Sequence, residues 1–141
     1  MERKVILLVE DTPDDVELIQ RALSQSRIVN EMVVARDGVE ALEYFFGPGC
    51  EDRPLPQVVL LDLKLPKLDG HEVLRRLRAE KRTRLLPVVI LTTSDEQQDI
   101  VQSYENGASS YVRKPVDFDE FLKAAHTLGM YWLVLNEPPA L

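Results

Sequence analysis

Acidic residues directly follow two apolar segments of this 141-residue chain. Glu10 and Asp11 come after the run Val5–Val9, and Asp62 comes after the run Val58–Leu61. Unbroken runs of valine, isoleucine and leucine are typical of strands that are buried on both faces of a parallel sheet. Because such sheets bind ligands outside the carboxyl ends of their strands, the three acids are candidates for one shared site. Each acid could instead serve only as the cap of a loop or a helix.

Thr92 and Lys114 follow two further predicted strands, Pro87–Leu91 and Ser110–Arg113, so a hydroxyl and an ammonium group are expected beside the acids. Carboxylates that crowd together repel one another, which raises the pKa of at least one of them. A hard divalent cation relieves this repulsion, and Mg²⁺ commonly combines one or two carboxylates with phosphate oxygens. The set therefore indicates phosphoryl chemistry, with Asp62 as the nucleophile and Lys114 and Thr92 holding phosphoryl oxygens.

The sequence motifs of several other phosphate and metal sites are absent. The chain has no Gly-x-x-x-x-Gly-Lys-[Ser/Thr] loop, no Gly-x-Gly-x-x-Gly turn after the first strand and no Gly-x-Ser-x-Gly elbow. The turn after the first strand is Glu-Asp-Thr-Pro-Asp-Asp, which would repel the phosphates of a nucleotide. No cysteine or histidine pair supplies zinc-type ligands, so softer metals are not expected.

Strands alternate with helices along the chain, which predicts an α/β domain with a doubly wound, parallel, five-stranded sheet. Capping pairs mark helix starts, with Asp69 and Glu72 at the third helix and Ser94 and Gln97 at the fourth. Residues 47–56 contain three prolines and two glycines, which predicts an exposed loop. The predicted strands are Val5–Val9, Met32–Ala35, Val58–Leu61, Pro87–Leu91 and Ser110–Arg113, and the predicted helices are Pro13–Ser26, 37–46, Asp69–Arg82, 94–106 and 117–135.

Composition restricts the class of protein. The net charge of -7 argues against nucleic acid as the main partner, because phosphate backbones demand a cationic surface. The apolar run near the N-terminus is too short for a signal sequence or a membrane span, so no membrane association is expected. The single cysteine, Cys50, excludes an internal disulfide framework and favours a cytoplasmic location. We expect one domain over residues 1–135, a short tail over 136–141 and no second domain.

As an ordered set, the strand-end residues resemble those of the receiver domain of two-component response regulators. The resemblance covers about Lys4 to Leu128, nearly the whole chain. The proline-rich loop 47–56 and the tail 132–139 are similar, more narrowly, to small single-domain regulators that are paired with phytochrome-type kinases. The residues that resemble the receiver pattern are Glu10, Asp11, Asp62, Pro66, Gly70, Thr92, Tyr111, Lys114 and Pro115.

The resemblance implies a flavodoxin-like (βα)5 fold with strand order 2-1-3-4-5 and no output domain. It implies a phosphoprotein in which Asp62 accepts a phosphoryl group from a phosphohistidine of a sensor histidine kinase. The narrower resemblance implies that this kinase is of the phytochrome type. It also implies that Asp11, Asp62 and the backbone carbonyl of Lys64 coordinate Mg²⁺, with Glu10 acting through a bound water.

The resemblance further implies a conformational switch. Lys114 would contact a phosphoryl oxygen, and its peptide bond to Pro115 would be cis. Thr92 would move towards the phosphoryl group and Tyr111 would rotate inward, which would couple the site to the surface of the fourth helix, fifth strand and fifth helix. Tyr111 could instead be a half-buried packing aromatic. Lys64 and Ser94, two places beyond Asp62 and Thr92, occupy positions that tune the phosphoryl lifetime in the family.

The last predicted helix is apolar all round. Such a helix must be covered, and we hypothesise that a second copy of the chain covers it in a symmetric homodimer. The alternative is that the proline-ended tail folds back over the outer residues. The predicted core stripe consists of Phe118, Phe121, Leu122, Ala125, Leu128 and Trp132, and the residues on the other side are Met130, Tyr131 and Val134.

Two rival functions belong to other classes. A phosphatase of the haloacid dehalogenase type also forms an aspartyl phosphate, but it uses Asp-x-Asp, whereas Lys64 stands two places after Asp62 here. A degenerate receiver that serves only as a binding module is the second rival, although every phosphorylation residue is retained. We expect a signalling phosphoacceptor that catalyses only its own phosphorylation and dephosphorylation, not a metabolic enzyme.

Isolated polar residues give weaker signals. His71 and His126 stand alone on predicted helices and are interpreted as surface or packing residues. The basic cluster over residues 75–82 is interpreted as a solvated helix face, with a patch for an acidic partner as the alternative.

Overall fold

The computed structural model describes residues 4–25 and 30–139 of the chain. A short 3-10 turn, Cys50–Asp52, lies in the predicted loop, and a π-helical segment, Tyr131–Leu135, continues the last helix. The predicted alternation of strands and helices is confirmed. The elements are β1 (Lys4–Val9), α1 (Pro13–Ser24), β2 (Asn30–Ala35), α2 (Gly38–Phe46), β3 (Val58–Leu61), α3 (Gly70–Ala79), β4 (Val88–Thr92), α4 (Gln97–Glu105), β5 (Ser110–Arg113) and α5 (Phe118–Met130).

The strands form one parallel sheet in the order β2-β1-β3-β4-β5, as predicted. The last residues of β1 and β3 are paired, so Glu10 and Asp62 leave neighbouring strands at the same level. The last residues of β4 and β5 are also paired, which places Lys114 directly beyond the strand end next to Thr92. The register of the sheet therefore brings the predicted site residues to one edge.

Side chains of each central strand alternate between two apolar cores, one on each face of the sheet. In β1, Ile6 and Leu8 pack with residues of α1 and α5, whereas Leu7 and Val9 pack with residues of α2 and α3. All four side chains are buried. Because both faces are covered, the strands appear in the sequence as unbroken apolar runs rather than as alternating patterns.

Helices α1 and α3 differ from their predicted bounds. Helix α1 ends at Ser24, and the predicted end at Ser26 lies outside the described residues. Helix α3 ends at Ala79, before the predicted Arg82. The hydroxyl of Thr83 donates to the carbonyl of Leu77 at 2.5 Å, so a side chain from the following turn satisfies a carbonyl at the end of the helix.

The predicted capping pair of α4 is wrong. The helix begins at Gln97, and its N-cap residue is Glu96, which makes no side-chain capping bond. The hydroxyl of Ser94 instead donates to the carboxylate of Asp99 at 2.7 Å. Ser94 therefore contacts the side chain of Asp99, in the first turn of α4, and does not cap the free backbone N–H groups of that helix.

Helix α5 follows the predicted core stripe with two differences. Phe118 begins the helix and is 53% exposed, and its ring lies 6.0 Å from the guanidinium carbon of Arg21. Leu133 is buried although it was not included in the predicted stripe, because a regular helix places it on the same side as Leu122. The remaining stripe residues are buried or partly buried, as predicted: Phe121, Leu122, Ala125, Leu128 and Trp132.

Close contact fixes α5 against α1. A Cβ atom on Gly129 would lie 2.3 Å from Cδ2 of Leu23, so a larger residue here would force this leucine side chain to move. Lys4, at the start of β1, donates a hydrogen bond to the carbonyl of Leu133 and so ties the π-helical segment to the sheet.

Within the described ranges, no helix has the length and apolar character needed to cross a membrane.

Candidate functional site

Three carboxylates meet at the carboxyl edge of the sheet. Oxygen atoms of Glu10, Asp11 and Asp62 all lie within 4.8 Å of one another. Glu10 and Asp62 are buried, whereas Asp11 is exposed at the start of the loop between β1 and α1. The backbone N of Asp62 donates to the carbonyl of Val9 at 3.1 Å, so the ladder between β1 and β3 continues into the cluster. The structure therefore brings the three predicted acids together.

Lys114 supplies a buried ammonium group to this cluster. Its Nζ lies 2.8 Å from Oδ2 of Asp15 and 3.3 Å from Oδ2 of Asp62, and it also donates to Oε1 of Glu10. Burial alone would lower the pKa of Lys114, but the hydrogen bonds to Asp15 and Glu10 and the charge of Asp62 outweigh it and raise the pKa. Lys114 therefore keeps its positive charge in the interior.

Glu10 is the most deeply buried acid among the described residues, with 1% of its surface exposed. Burial raises the pKa of Glu10, whereas the hydrogen bond and the charge of Lys114 lower it and the charge of Asp62 raises it further. One carboxylate oxygen accepts from Lys114 and the other accepts from the backbone N of Thr12 at 3.1 Å. Both carboxylate oxygens of Glu10 are therefore already engaged by donors of the protein, while one oxygen remains within reach of Asp11 and Asp62.

Asp15 belongs to the cluster, although its position in the sequence does not predict this. It lies in the first turn of α1, where an acid is expected on account of the helix dipole alone. Its contact with Lys114 joins α1 to the end of β5. The sequence shows only that Asp15 lies about one helical turn beyond Glu10 and Asp11. Whether its side chain reaches the cluster depends on how α1 packs against the sheet.

Close packing of the backbone fixes the loop that follows Asp62. The backbone N of Lys64 lies 3.4 Å from Oδ1 of Asp62, and the backbone N of Gly70 donates to the carbonyl of Leu63 at 2.9 Å. A Cβ atom on Gly70 would lie 2.2 Å from the carbonyl oxygen of Asp62. Because only glycine avoids this overlap, Gly70 lets α3 begin directly against the acid cluster.

The two predicted switch residues lie beside the cluster rather than in it. Thr92 is fully buried at the end of β4, and Tyr111 is half-buried on β5. The Tyr111 hydroxyl donates to the carbonyl of Ser94 at 2.8 Å, and burial is the main cause of the raised pKa of Tyr111. Oγ1 of Thr92 lies 3.5 Å from the backbone N of Ser94. Across residues 4–25 and 30–139, no hydrogen bond joins Thr92 or Tyr111 to the carboxylates.

The prediction that the peptide bond between Lys114 and Pro115 is cis is wrong. The described residues contain no cis peptide bond, so this bond is trans. The trans form of an X-Pro bond is intrinsically favoured by about 0.5–1 kcal/mol. In the trans form the side chain of Lys114 already reaches three carboxylates.

The donor set fits a hard divalent cation. Glu10, Asp11 and Asp62 offer only oxygen atoms, which are the ligands that Mg²⁺ prefers. Lys114 contacts Glu10, Asp15 and Asp62, and Asp11 adds a fourth carboxylate to the cluster, so a cation would neutralise excess negative charge. The exposure of Asp11 leaves one side of the cluster open to solvent.

Comparison with protein families agrees with this geometry. Residues 6–126 match the model of the response regulator receiver domain. The chain belongs to this family. The predicted resemblance is therefore confirmed.

Curated relatives of this receiver domain align with nearly all of it. The probable methanogenesis regulatory protein FilR2 of Methanothrix harundinacea is 41% identical over 135 residues, covering 96% of this chain and 87% of that protein. The response regulator Rcp1 of Synechocystis sp. is 38% identical over 138 residues, covering 97% and 94% respectively.

Solved structures of similar proteins confirm the flavodoxin-like receiver fold. The Mn²⁺-bound form of Rcp1 has a TM-score of 0.92 at 38% identity, over 97% of this chain and 99% of that one. The phosphorylated cyanobacterial phytochrome response regulator RcpA has a TM-score of 0.94 at 35% identity, over 99% and 100%. The narrower resemblance to small regulators of phytochrome systems is thereby confirmed, and a divalent metal is bound in one of these relatives.

Proposed function

We propose that this receiver domain is a phosphorylation switch in which Asp62 accepts a phosphoryl group from a histidine of a sensor histidine kinase, in a Mg²⁺-dependent reaction. The observation that carries the proposal is the position of Asp62, whose carboxylate lies 3.3 Å from the buried ammonium group of Lys114 and within 4.8 Å of oxygen atoms of two further acids. Membership of the receiver family supports it, because receiver domains are the signalling partners of such kinases.

The proposed transfer forms one bond and breaks one bond. A carboxylate oxygen of Asp62 attacks phosphorus, the P–N bond to the kinase imidazole breaks, and its electron pair passes to the ring nitrogen. Lys114 is close enough to Asp62 to donate to an oxygen of the transferred group. Asp11, Asp62 and the carbonyl of Lys64 would hold Mg²⁺, with Glu10 acting through water, and the ion would supply positive charge against the phosphoryl oxygens.

We propose that Thr92 and Tyr111 transmit the phosphorylation signal. The hydroxyl of Thr92 would move towards the phosphoryl group, and the backbone of Ser94, which lies next to it, would move as well. Because the Tyr111 hydroxyl is bound to the carbonyl of Ser94, this movement would change the contacts of Tyr111. The surface formed by α4, β5 and α5 would then differ between the two states.

The proposed chemistry is limited to phosphorylation and dephosphorylation of the chain itself. The second carboxylate of a haloacid dehalogenase phosphatase is replaced by Lys64, whose side chain is exposed. Turnover of free phosphomonoesters would favour that phosphatase, and a complete absence of phosphoryl transfer would favour a receiver-like binding module.

A phytochrome-type sensor kinase is the proposed class of partner. The similarity to RcpA, which is a phytochrome response regulator, extends over 99% of this chain. We further propose that the domain acts in the cytoplasm, because its single cysteine, Cys50, favours a reducing compartment. The net charge of -7 argues against a role for nucleic acid.

A second copy of the chain is the proposed cover for the outer face of α5 and the segment that follows. Met130, Tyr131 and Val134 are 38%, 47% and 50% exposed, as predicted for this side of the helix. Residues 136–139 are described and leave these side chains exposed, so this part of the tail does not fold over them. We therefore propose a homodimer through the surface of α4, β5 and α5.

Labelling with a small phosphoryl donor tests the proposed function. We expect acetyl phosphate to add one phosphoryl group in the presence of Mg²⁺, as measured by intact mass, and none after chelation of the metal. Asp62→Asn should abolish the labelling, whereas Asp52→Asn, at an exposed acid of the loop before β3, should leave it unchanged. Labelling of Asp62→Asn at the wild-type level would refute the assignment.

A further inference from the structure

A chain of hydrogen bonds links α3 to α4 beside the site. Nε2 of His71, in the first turn of α3, lies 3.1 Å from Oδ1 of Asp99, in the first turn of α4. Oδ2 of Asp99 accepts a hydrogen bond from the hydroxyl of Ser94 at 2.7 Å. Because a carboxylate only accepts, His71 must donate through Nε2–H. We call these contacts between His71, Asp99 and Ser94 the α3–α4 chain.

Ser94 connects this chain to the predicted switch residues. Its hydroxyl also accepts from the backbone N of Glu96 at 3.3 Å, while its carbonyl accepts from the hydroxyl of Tyr111. Its backbone N lies against Oγ1 of Thr92. A displacement of Thr92 would therefore act on Ser94. Asp99 holds the side chain of Ser94, and Tyr111 holds its carbonyl.

Helix α4 has little apolar packing to fix its position. Ser103 is its only buried residue, and Val101 and Tyr104 are 44% and 52% exposed. Helix α3, by contrast, is anchored in the core by three buried apolar side chains, Val73, Leu74 and Leu77. A helix with few buried contacts belongs to the less stable part of a fold, so its polar contacts have a large share in fixing it. The α3–α4 chain supplies such a contact to a well-anchored neighbour.

The ionisation of Asp99 is consistent with this arrangement. The hydrogen bond from Ser94, and then the one from His71, lower the pKa of Asp99. The ionised carboxylate, which can accept from both partners at once, is therefore the favoured form. Both partners are themselves largely buried, at 9% exposure for His71 and 5% for Ser94.

We infer that His71 and Asp99 are positioning residues of the phosphorylation switch, which act through Ser94 to hold residues 92–94 and the start of α4 in the unphosphorylated arrangement. The inference rests on the proposed function and concerns the regulation of the same site. Movement of Thr92 towards a phosphoryl group must shift Ser94 and disturb its bond to Asp99. Breaking the chain lowers the free-energy cost of this movement and so favours the phosphorylated conformation.

The first test needs no phosphorylation. Hydrogen exchange of the backbone amides of Ser94 and Glu96 in the unmodified protein should be about five-fold faster in His71→Leu, which keeps an apolar side chain but removes the donor. His71→Gln places an amide N–H near the position of Nε2 and should restore the wild-type rates. The matched control is His126→Leu, at an exposed position of α5, which should leave them unchanged. Wild-type exchange rates in His71→Leu would overturn the inference.

The second test connects the chain to the switch through the affinity for fluoroberyllate, a phosphoryl analogue, in the presence of Mg²⁺. His71→Leu and Asp99→Asn should each bind it about five-fold more tightly than the wild type. In a Ser94→Ala background, His71→Leu should have no further effect, because the chain acts through Ser94. Ser103→Ala is the control for altered packing of α4 and should bind like the wild type.

The outcomes separate this inference from the proposed function. If the wild type binds fluoroberyllate and His71→Leu binds it equally well, the inference is overturned and the proposed function stands. If the wild type does not bind fluoroberyllate, the proposed function is contradicted, and the exchange rates of His71→Leu still decide whether the α3–α4 chain holds the start of α4.

Discussion

Lys114 is the residue on which the charge balance of the site depends. It is the ammonium group that contacts Glu10, Asp15 and Asp62, and its side chain is only 4% exposed. Buried charges are tolerated when they are paired, and the removal of one partner leaves the others without compensation. The stability of the unphosphorylated protein should therefore be sensitive to this residue.

Lys114→Met should lower the free energy of unfolding by about 3 kcal/mol in Mg²⁺-free buffer, because Glu10 would stay buried without its counter-charge. Urea unfolding followed by the fluorescence of Trp132 measures the change. Lys123→Met, at an exposed position of α5, is the matched control and should change the free energy of unfolding by less than about 0.5 kcal/mol. A loss for Lys114→Met as small as that of the control would contradict the proposed charge balance.

At the scale of elements, α3 and α4 meet through the pair His71 and Asp99. The pKa of Asp99 is lowered, so the carboxylate stabilises the fold in its ionised form. A lowered pKa of an acid gives stability that is fully present above the pKa of the unfolded chain. That stability is lost as the pH falls through the pKa of the folded protein.

We expect Asp99→Asn to be less stable than the wild type near neutral pH, and the difference to shrink as the pH falls below the ordinary aspartate value of 3.8. Urea unfolding at a series of pH values measures both proteins. Asp52→Asn, at an exposed acid, serves as the comparison and should change the free energy of unfolding by less than about 0.5 kcal/mol. A difference that grows towards acid pH would have the wrong sign and would contradict this account.

The strands could be predicted because the central strands are buried on both faces, which leaves unbroken apolar runs in the sequence. Their order was predicted only from the resemblance to the receiver family, because apolar runs do not specify which strands are neighbours. The chemistry-bearing residues Glu10, Asp62 and Lys114 could be predicted for a related reason, since each directly follows a strand. Their position needs only the direction of the strand and the register of a parallel sheet.

Contacts between helices and loops could not be predicted, because they depend on tertiary packing. Arg82 was expected on a solvated helix face, but α3 ends before it and its guanidinium donates to the carbonyls of Phe45 and Cys50, at 2.6 and 3.1 Å. His71 was expected to be a surface or packing residue, and nothing in the spacing of the sequence connects it to Asp99. The position of Asp15 beside Lys114 likewise depends on how α1 lies against the sheet.

At the scale of the whole molecule, two features have opposite effects on self-association. They are the exposed apolar side chains of α5 and the segment that follows it, and the net charge of -7. Exposed apolar side chains favour association, whereas two copies with the same net charge repel each other. Salt screens this repulsion, so the proposed homodimer should form more readily at higher ionic strength.

Sedimentation equilibrium at high micromolar concentration should show a dimer, with or without phosphorylation. Val134→Glu should weaken it, because the substitution places a charge in the proposed interface. Thr127→Glu, at another exposed position of α5, adds the same charge outside the residues named for the interface and should have little effect. A monomer under both conditions, with and without phosphorylation, would exclude the homodimer.

Reductive trapping of the phosphorylated residue tests the central claim most directly. Borohydride reduces an aspartyl phosphate to homoserine, so that mass spectrometry of the digested protein identifies the modified position. After labelling with acetyl phosphate and Mg²⁺, we expect homoserine at residue 62 alone. Homoserine at residue 11 or 15, or an unmodified chain after full exposure to the donor, would contradict the assignment of Asp62 as the phosphoacceptor.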